Sequence, residues 1–152
     1  MSKKAVREGV LAFLATNAPT ETVVDLTAQY DELRDMLEVS GVQPDAPWLG
    51  IEFTAFEEEP VSLSATNDQG LYRELGMFQL HVCAQAKIGV GAEMLDRAES
   101  LLNLFRGARI GGIVIQSVRP LNTGPGATLE FEAGYVSGTV DVEYYFDHVP
   151  GI

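Results

Sequence analysis

The sequence predicts an α+β fold, a mainly antiparallel β-sheet of about four to five strands with two or three helices packed on one face. Three observations carry this. Two long stretches alternate apolar and polar residues. In the first, Phe78, Leu80, Val82, Ala84 and Ala86 interleave with Gln79, His81, Cys83, Gln85 and Lys87; in the second, Val136, Val140, Val142, Tyr144 and Phe146 interleave with Ser137, Thr139, Asp141, Glu143 and Tyr145. A period of two puts every second side chain on one face, the pattern of a strand buried on one side only. Between them, residues 92–106 change to a helical period, and the chain opens on a second amphipathic helix.

Residues 2–16 place Val6, Val10, Phe13 and Leu14 on one helical stripe, with Ser2 as a candidate N-cap and Asn17 and Pro19 ending the helix. Residues 25–38 keep a helical spacing through Leu26, Tyr30, Leu33 and Leu37, with Asp25 as cap and Gly41 as terminator; a short acidic helix or an irregular excursion both fit. From Trp48, the residues Leu49, Ile51, Phe53 and Ala55 alternate with Gly50, Glu52 and Thr54 as a strand, and Glu57-Glu58-Glu59-Pro60 is expected to stop it. Residues 57–76 then read as a long, mobile loop that orders on assembly, because its strand signal is weak and Asn67, Asp68 and Gly70 are turn formers. In the helix at 92–106 the expected buried stripe is Leu95, Ala98, Leu102 and Phe105, widened by Met94 and Leu101. Glu93 and Arg97 are expected to pair across one turn, and Gly107 to follow the last residue. Ile113–Val118 gives a further strand, and residues around 129–133 a short one. No repeat or second domain is visible, so residues 1–152 are expected to form one domain, with 18–45 a possible insertion.

Composition narrows the function classes. The 152 residues carry 22 acidic and 10 basic side chains, a net charge of −12. Such a surface repels a phosphate backbone, since nucleic-acid affinity rests on Lys and Arg displacing counterions. It argues against gripping DNA or an anionic membrane, yet it suits a wall past which a polyanion slides. No apolar run is long enough to span a bilayer, the first residues lack the uninterrupted apolar core of an export signal, and the single cysteine, Cys83, fits a reducing compartment. Synthesis and use in a cytoplasm are expected.

Candidate chemistry is sparse. Gly89-Val90-Gly91 stands between a strand and a helix, where backbone amides can hold an anion. Met94 replaces the third glycine of a dinucleotide fingerprint and no Gly-Lys-Ser/Thr follows, so the glycines read first as a sharp turn. His81 and Cys83 share a strand face, but a zinc site needs three or four ligands and only His148 remains among the histidines. Cys83 with either histidine supplies two parts of a nucleophilic triad, and nothing resembles a nucleophile elbow. No catalytic residue, metal ligand or cofactor is assigned, and no enzyme is expected. The sheet's second face is more informative. Gln79, His81 and Gln85 on one long strand are uncharged or weakly charged and able to pair, and the last strand adds Tyr135 and Tyr145. Together with Glu57, Glu58, Glu59, Arg73 and Glu74 of the loop, they are the candidate assembly interface; a solvated sheet face is the competing reading.

Several segments resemble a known family in order. Pro47-Trp48-Leu49-Gly50-Ile51-Glu52-Phe53 follows an N-terminal helix. Gly76-Met77-Phe78-Gln79-Leu80-His81-Val82 leads through the Gly89/Gly91 turn into the second helix, and Gly134-Tyr135 precedes the closing strand. This arrangement is similar to the tail-terminator, or tail-completion, proteins of long-tailed phages. Residues 18–45 are longer and more acidic than the family pattern. The resemblance implies a structural protein of the virion tail, assembled in the host bacterial cytoplasm as a ring, usually of six copies, at the neck end. Such a ring binds the last ring of the tail-tube protein, stops polymerisation and offers a surface to the head-completion or connector protein. DNA only passes through the lumen. Another phage neck or tail component is the alternative, followed by a small nucleotide- or ligand-binding enzyme using the Gly89–Gly91 turn.

Overall fold

A computed structural model describes residues 2–27, 41–42, 46–60, 72–122 and 135–148. The order is α1 (Ser2–Asn17), β1 (Val23–Asp25), β2 (Trp48–Pro60), β3 (Tyr72–Gln85), α2 (Val90–Phe105), β4 (Arg109–Ile110), β5 (Ile113–Val118) and β6 (Tyr135–His148). The strands form one six-stranded sheet in the order β1-β2-β3-β6-β5-β4. All pairings are antiparallel except β1 with β2. The expected α+β class holds, with a sheet slightly larger than foreseen.

The alternation seen in the sequence sets the layers. Leu49, Ile51 and Phe53 of β2, Phe78, Leu80, Val82 and Ala84 of β3, and Val140, Val142 and Tyr144 of β6 lie on one face. Val6, Val10 and Leu14 of α1 and Met94, Ala98, Leu101, Leu102 and Phe105 of α2 close over it in one core. Phe78 sits at the centre, 5.2 Å from the Phe105 ring, 5.7 Å from Phe53 and 6.2 Å from Tyr144. Phe13 packs its ring 5.3 Å from Phe105, which joins the two helices. Burial of large apolar side chains stabilises by about 1.5–3 kcal/mol each, so this layer dominates the folding energy.

The sheet curls around α1. Arg7 on one flank of the helix bonds Asp25 of β1, while a β-carbon at Gly9 on the other would lie 3.2 Å from Ile113 of β5 and 3.8 Å from Ile110 of β4. Both ends of the strand order therefore reach the same helix, as the right-handed twist of a six-stranded sheet permits.

Several expectations are corrected. Glu57–Glu59 does not stop β2, and 57–76 is not one loop: β2 and β3 pair from Trp48↔Cys83 to Pro60↔Tyr72, leaving only 61–71 outside the described residues. A bulge between Ala55 and Glu57 explains the misreading. One extra residue reverses the facing of everything beyond it, so the period-two pattern breaks while the ladder continues. Asp25 ends β1, which pairs Val23↔Leu49 to Asp25↔Ile51, so part of 18–45 belongs to the sheet, and its Oδ1 accepts the Thr27 amide at 2.9 Å. Residues 28–38 of the proposed helix, and the short strand near 129–133, lie outside the described residues. Ser2 is the first helical residue rather than the cap before it. In α2 the buried stripe is shifted: Leu95 is 59% exposed, and Leu101 with Met94 takes its place beneath the helix.

Candidate assembly surface

The second sheet face is built by the residues that alternate with the core positions. The register aligns Trp48, Cys83 and Ser137, then Gly50, His81 and Thr139, then Glu52, Gln79 and Asp141, then Thr54, Met77 and Glu143. Beyond the bulge, Glu57 meets Leu75 and Tyr145, and Glu59 meets Arg73 and Asp147.

One end of this face is interior. Trp48, His81, Cys83, Ser137 and Thr139 are all buried, and Gly50 leaves the space that Leu26 and the Trp48 ring fill: a β-carbon there would stand 2.7 Å from Leu26 Cδ1. His81 is only 4% exposed, so its expected place on a solvated or partner-facing surface is revised. Its Nε2 lies 3.2 Å from Glu52 Oε1 without the alignment of a hydrogen bond. Burial lowers the His81 pKa, opposed by the charges of Glu52 and Asp141, so the ring is neutral at neutral pH. Cys83 donates its thiol to the His81 carbonyl at 3.4 Å, and burial pushes its pKa up to about 12 despite the nearby Arg97. A reactive cysteine requires the opposite environment, one that favours thiolate. Among the described residues no group of three or more His, Cys, Asp and Glu side chains is placed to hold a metal ion.

The other end is half-exposed and laced with pairs. Arg73 donates Nε to Asp147 Oδ1 at 2.8 Å and Nη2 to Oδ2 at 3.0 Å, and its guanidinium carbon stands 4.1 Å from the centre of the Tyr145 ring. The bidentate bond holds the Asp147 carboxyl below its ordinary pKa. Gln79 donates to Asp141 at 3.2 Å, and Glu143 accepts from Ser117 at 3.1 Å and Arg119 at 2.7 Å. Leu75 and Met77 lie half-exposed among these polar groups.

The candidate interface residues thus divide. Arg73, Tyr145 and Glu59 come together at one end, with Glu57 on the adjoining rung, and Gln79 lies midway. Gln85 is exposed at the far end of β3, opposite Tyr135. At about 3.4 Å per residue the two ends are roughly 40 Å apart, so they cannot serve one small contact. Glu58 and Glu74 are cross-strand neighbours. Glu74 is 4% exposed and accepts the Tyr144 hydroxyl at 2.9 Å, so it belongs to the interior rather than the surface.

Arg97 is the residue whose role the sequence conceals. It does not pair with Glu93, which is 3.2 Å from Lys87 instead. Its guanidinium forks onto Glu21 at 3.0 and 2.7 Å and donates to the carbonyls of Cys83 at 2.9 Å and Trp48 at 3.1 Å. It closes one side of a cavity of about 260 Å³ lined by Asn17–Glu21, Ser100, Leu101 and Leu104. At the Gly89 turn, φ is 87°, a left-handed conformation that explains the glycine without a ligand. The Glu93 carboxylate already occupies the first turn of α2 and would repel a phosphate there.

No helix among the described residues is long and apolar enough to cross a membrane. No family model matches the sequence, and no curated protein sequence matches it. Among the solved structures similar to it, one matches over 97% of this chain and 95% of its own, with 19% identity and a TM-score of 0.45.

Proposed function

We propose that this protein is a structural ring subunit of a phage tail, the terminator that closes the head-facing end of the tube and joins it to the connector. The observation that carries the reading is the half-exposed end of the second sheet face. Arg73, Leu75, Met77 and Tyr145 cluster there, and arginine, methionine and tyrosine are the side chains enriched where protein surfaces meet. The other end of that face is buried within the chain itself, at Trp48, His81, Cys83, Ser137 and Thr139, which suits a rigid wall more than a binding cleft. The acidic excess supports a passage for DNA in which the wall does not hold the polyanion.

Light scattering on the purified chain, followed by negative-stain imaging, tests this reading. Closed rings with a central hole are expected, and addition of the tail-tube protein should cap tubes at finite length. A chain that remains monomeric at every concentration and leaves tube growth unchanged would refute it.

A further inference from the structure

Among the described basic side chains, Lys4, Arg7, Arg73, Lys87, Arg97, Arg106 and Arg119 each lie within ion-pair distance of a carboxylate of the same chain. Arg109 does not. It is exposed on β4, the terminal strand at one end of the sheet order. In a chain with 22 acidic and 10 basic residues, a cation left without an acidic neighbour among the described residues is unexpected.

The opposite end of the sheet has the complementary character. β1 pairs with β2 only as far as Asp25↔Ile51, and Phe53 donates its amide to the Thr27 hydroxyl at 3.1 Å. From Thr54 to Pro60, no described strand pairs with that side of β2, and this stretch carries Glu57, Glu58 and Glu59 in succession. The bulge after Ala55 and the proline at 60 discourage a neighbouring strand from extending the ladder.

We infer that the two sheet ends are the halves of one head-to-tail contact between copies of this chain, Arg109 of one copy meeting the acidic end of β2 in the next. This rests on the ring reading above and names its interface. A two-fold dimer through either end is disfavoured, because it would set Glu57–Glu59 against themselves or Arg109 against Arg109. Two different ends that attract only each other form a heterologous contact, which closes into a ring when the rotation permits.

The test uses the full-length chain and two charge-reversed variants, Arg109→Glu and the pair Glu57→Arg with Glu59→Arg. Sedimentation velocity is recorded between low and high salt, with circular dichroism to verify folding. Each variant alone should raise the concentration needed for assembly by up to about tenfold per contact, since an exposed pair contributes little and reversal turns attraction into repulsion. Wild-type assembly should weaken with added salt. An equimolar mixture of the two variants should assemble as the wild type does, because alternating copies present opposite charges at every junction; two misfolded variants would not rescue each other. If the wild type assembles but the variants match it, or the mixture is not restored, this contact is wrong and the ring reading stands. If the wild type never assembles, both fall.

Discussion

Gly76→Ala is a severe test of how the sheet's centre is packed. Gly76 lies opposite Tyr144 in the β3–β6 ladder, and a β-carbon there would stand 2.6 Å from the Tyr144 hydroxyl oxygen, 2.8 Å from Cζ and 2.7 Å from the Thr54 carbonyl oxygen. The carbonyl belongs to β2 and cannot give way without disturbing its pairing with β3. The tyrosine can move only by withdrawing its hydroxyl from Glu74, which is 4% exposed. Overpacking costs about 1–3 kcal/mol, and loss of a hydrogen bond to a carboxylate costs about 1.5–3 kcal/mol. The expected destabilisation is about 3–5 kcal/mol, a fall in Tm on the order of 10 °C for a chain of this size. Urea denaturation followed by circular dichroism measures it. Tyr144→Phe alone should cost about 1.5–3 kcal/mol. The double variant should fall short of the sum by about 1–2 kcal/mol, because both changes lose the same bond. A Gly76→Ala protein within about 1 kcal/mol of wild type would refute the packing argument.

Three further outcomes follow from other parts of the molecule. Arg97→Met should destabilise by about 3–5 kcal/mol, because it strands Glu21 in a half-buried site and leaves two carbonyls without their donor; Arg97→Lys should recover only part of this, lacking the fork. Leu101→Ala should cost about 2–5 kcal/mol and Leu95→Ala less than about 0.5 kcal/mol; equal effects would contradict the rotation of α2 seen here. The lowered His81 pKa means that the unfolded chain binds a proton more readily than the folded one. That contribution to stability is complete above the ordinary histidine pKa of 6.5 and declines as pH falls from there towards the folded value. His81→Gln should flatten the pH dependence of the denaturation midpoint in that window, and an unchanged slope would show that His81 is not the titrating group.

Much of the architecture was legible because alternation survives wherever one strand face is buried and the ladder is regular. Phe78 to Leu80 and Val140 to Tyr144 meet both conditions, and their core faces are those the alternation predicts. β1 offered only Val23-Val24-Asp25, too short to display a period, and it is defined by a parallel neighbour far along the chain. The distal half of β2 was hidden by the bulge, which shifts the phase in mid-strand. The α2 stripe shifted because the hydrophobic pattern there is degenerate: Met94, Leu95, Leu101 and Leu102 allow two neighbouring faces, and packing against β3 selects one. Of the candidate surface, Arg73 and Tyr145 were identifiable as residue types, whereas their union depends on a register of β3 with β6 that no local pattern encodes. His81 illustrates the converse, since a polar residue on an alternating strand gives no sign that its own chain will cover it, and Glu74 was hidden because its stretch reads as a loop.

The reach of Arg97 has a consequence for how the molecule breathes. One guanidinium touches the segment after α1, the start of β2 and the end of β3 from its seat on α2, with partners 14, 49 and 76 residues away in sequence. Those segments cannot loosen one at a time without leaving a donor or an acceptor bare. Native-state amide exchange should therefore find the ends of β2 and β3 and the first turns of α2 opening in a single event, with a shared free energy, as one cooperative unit.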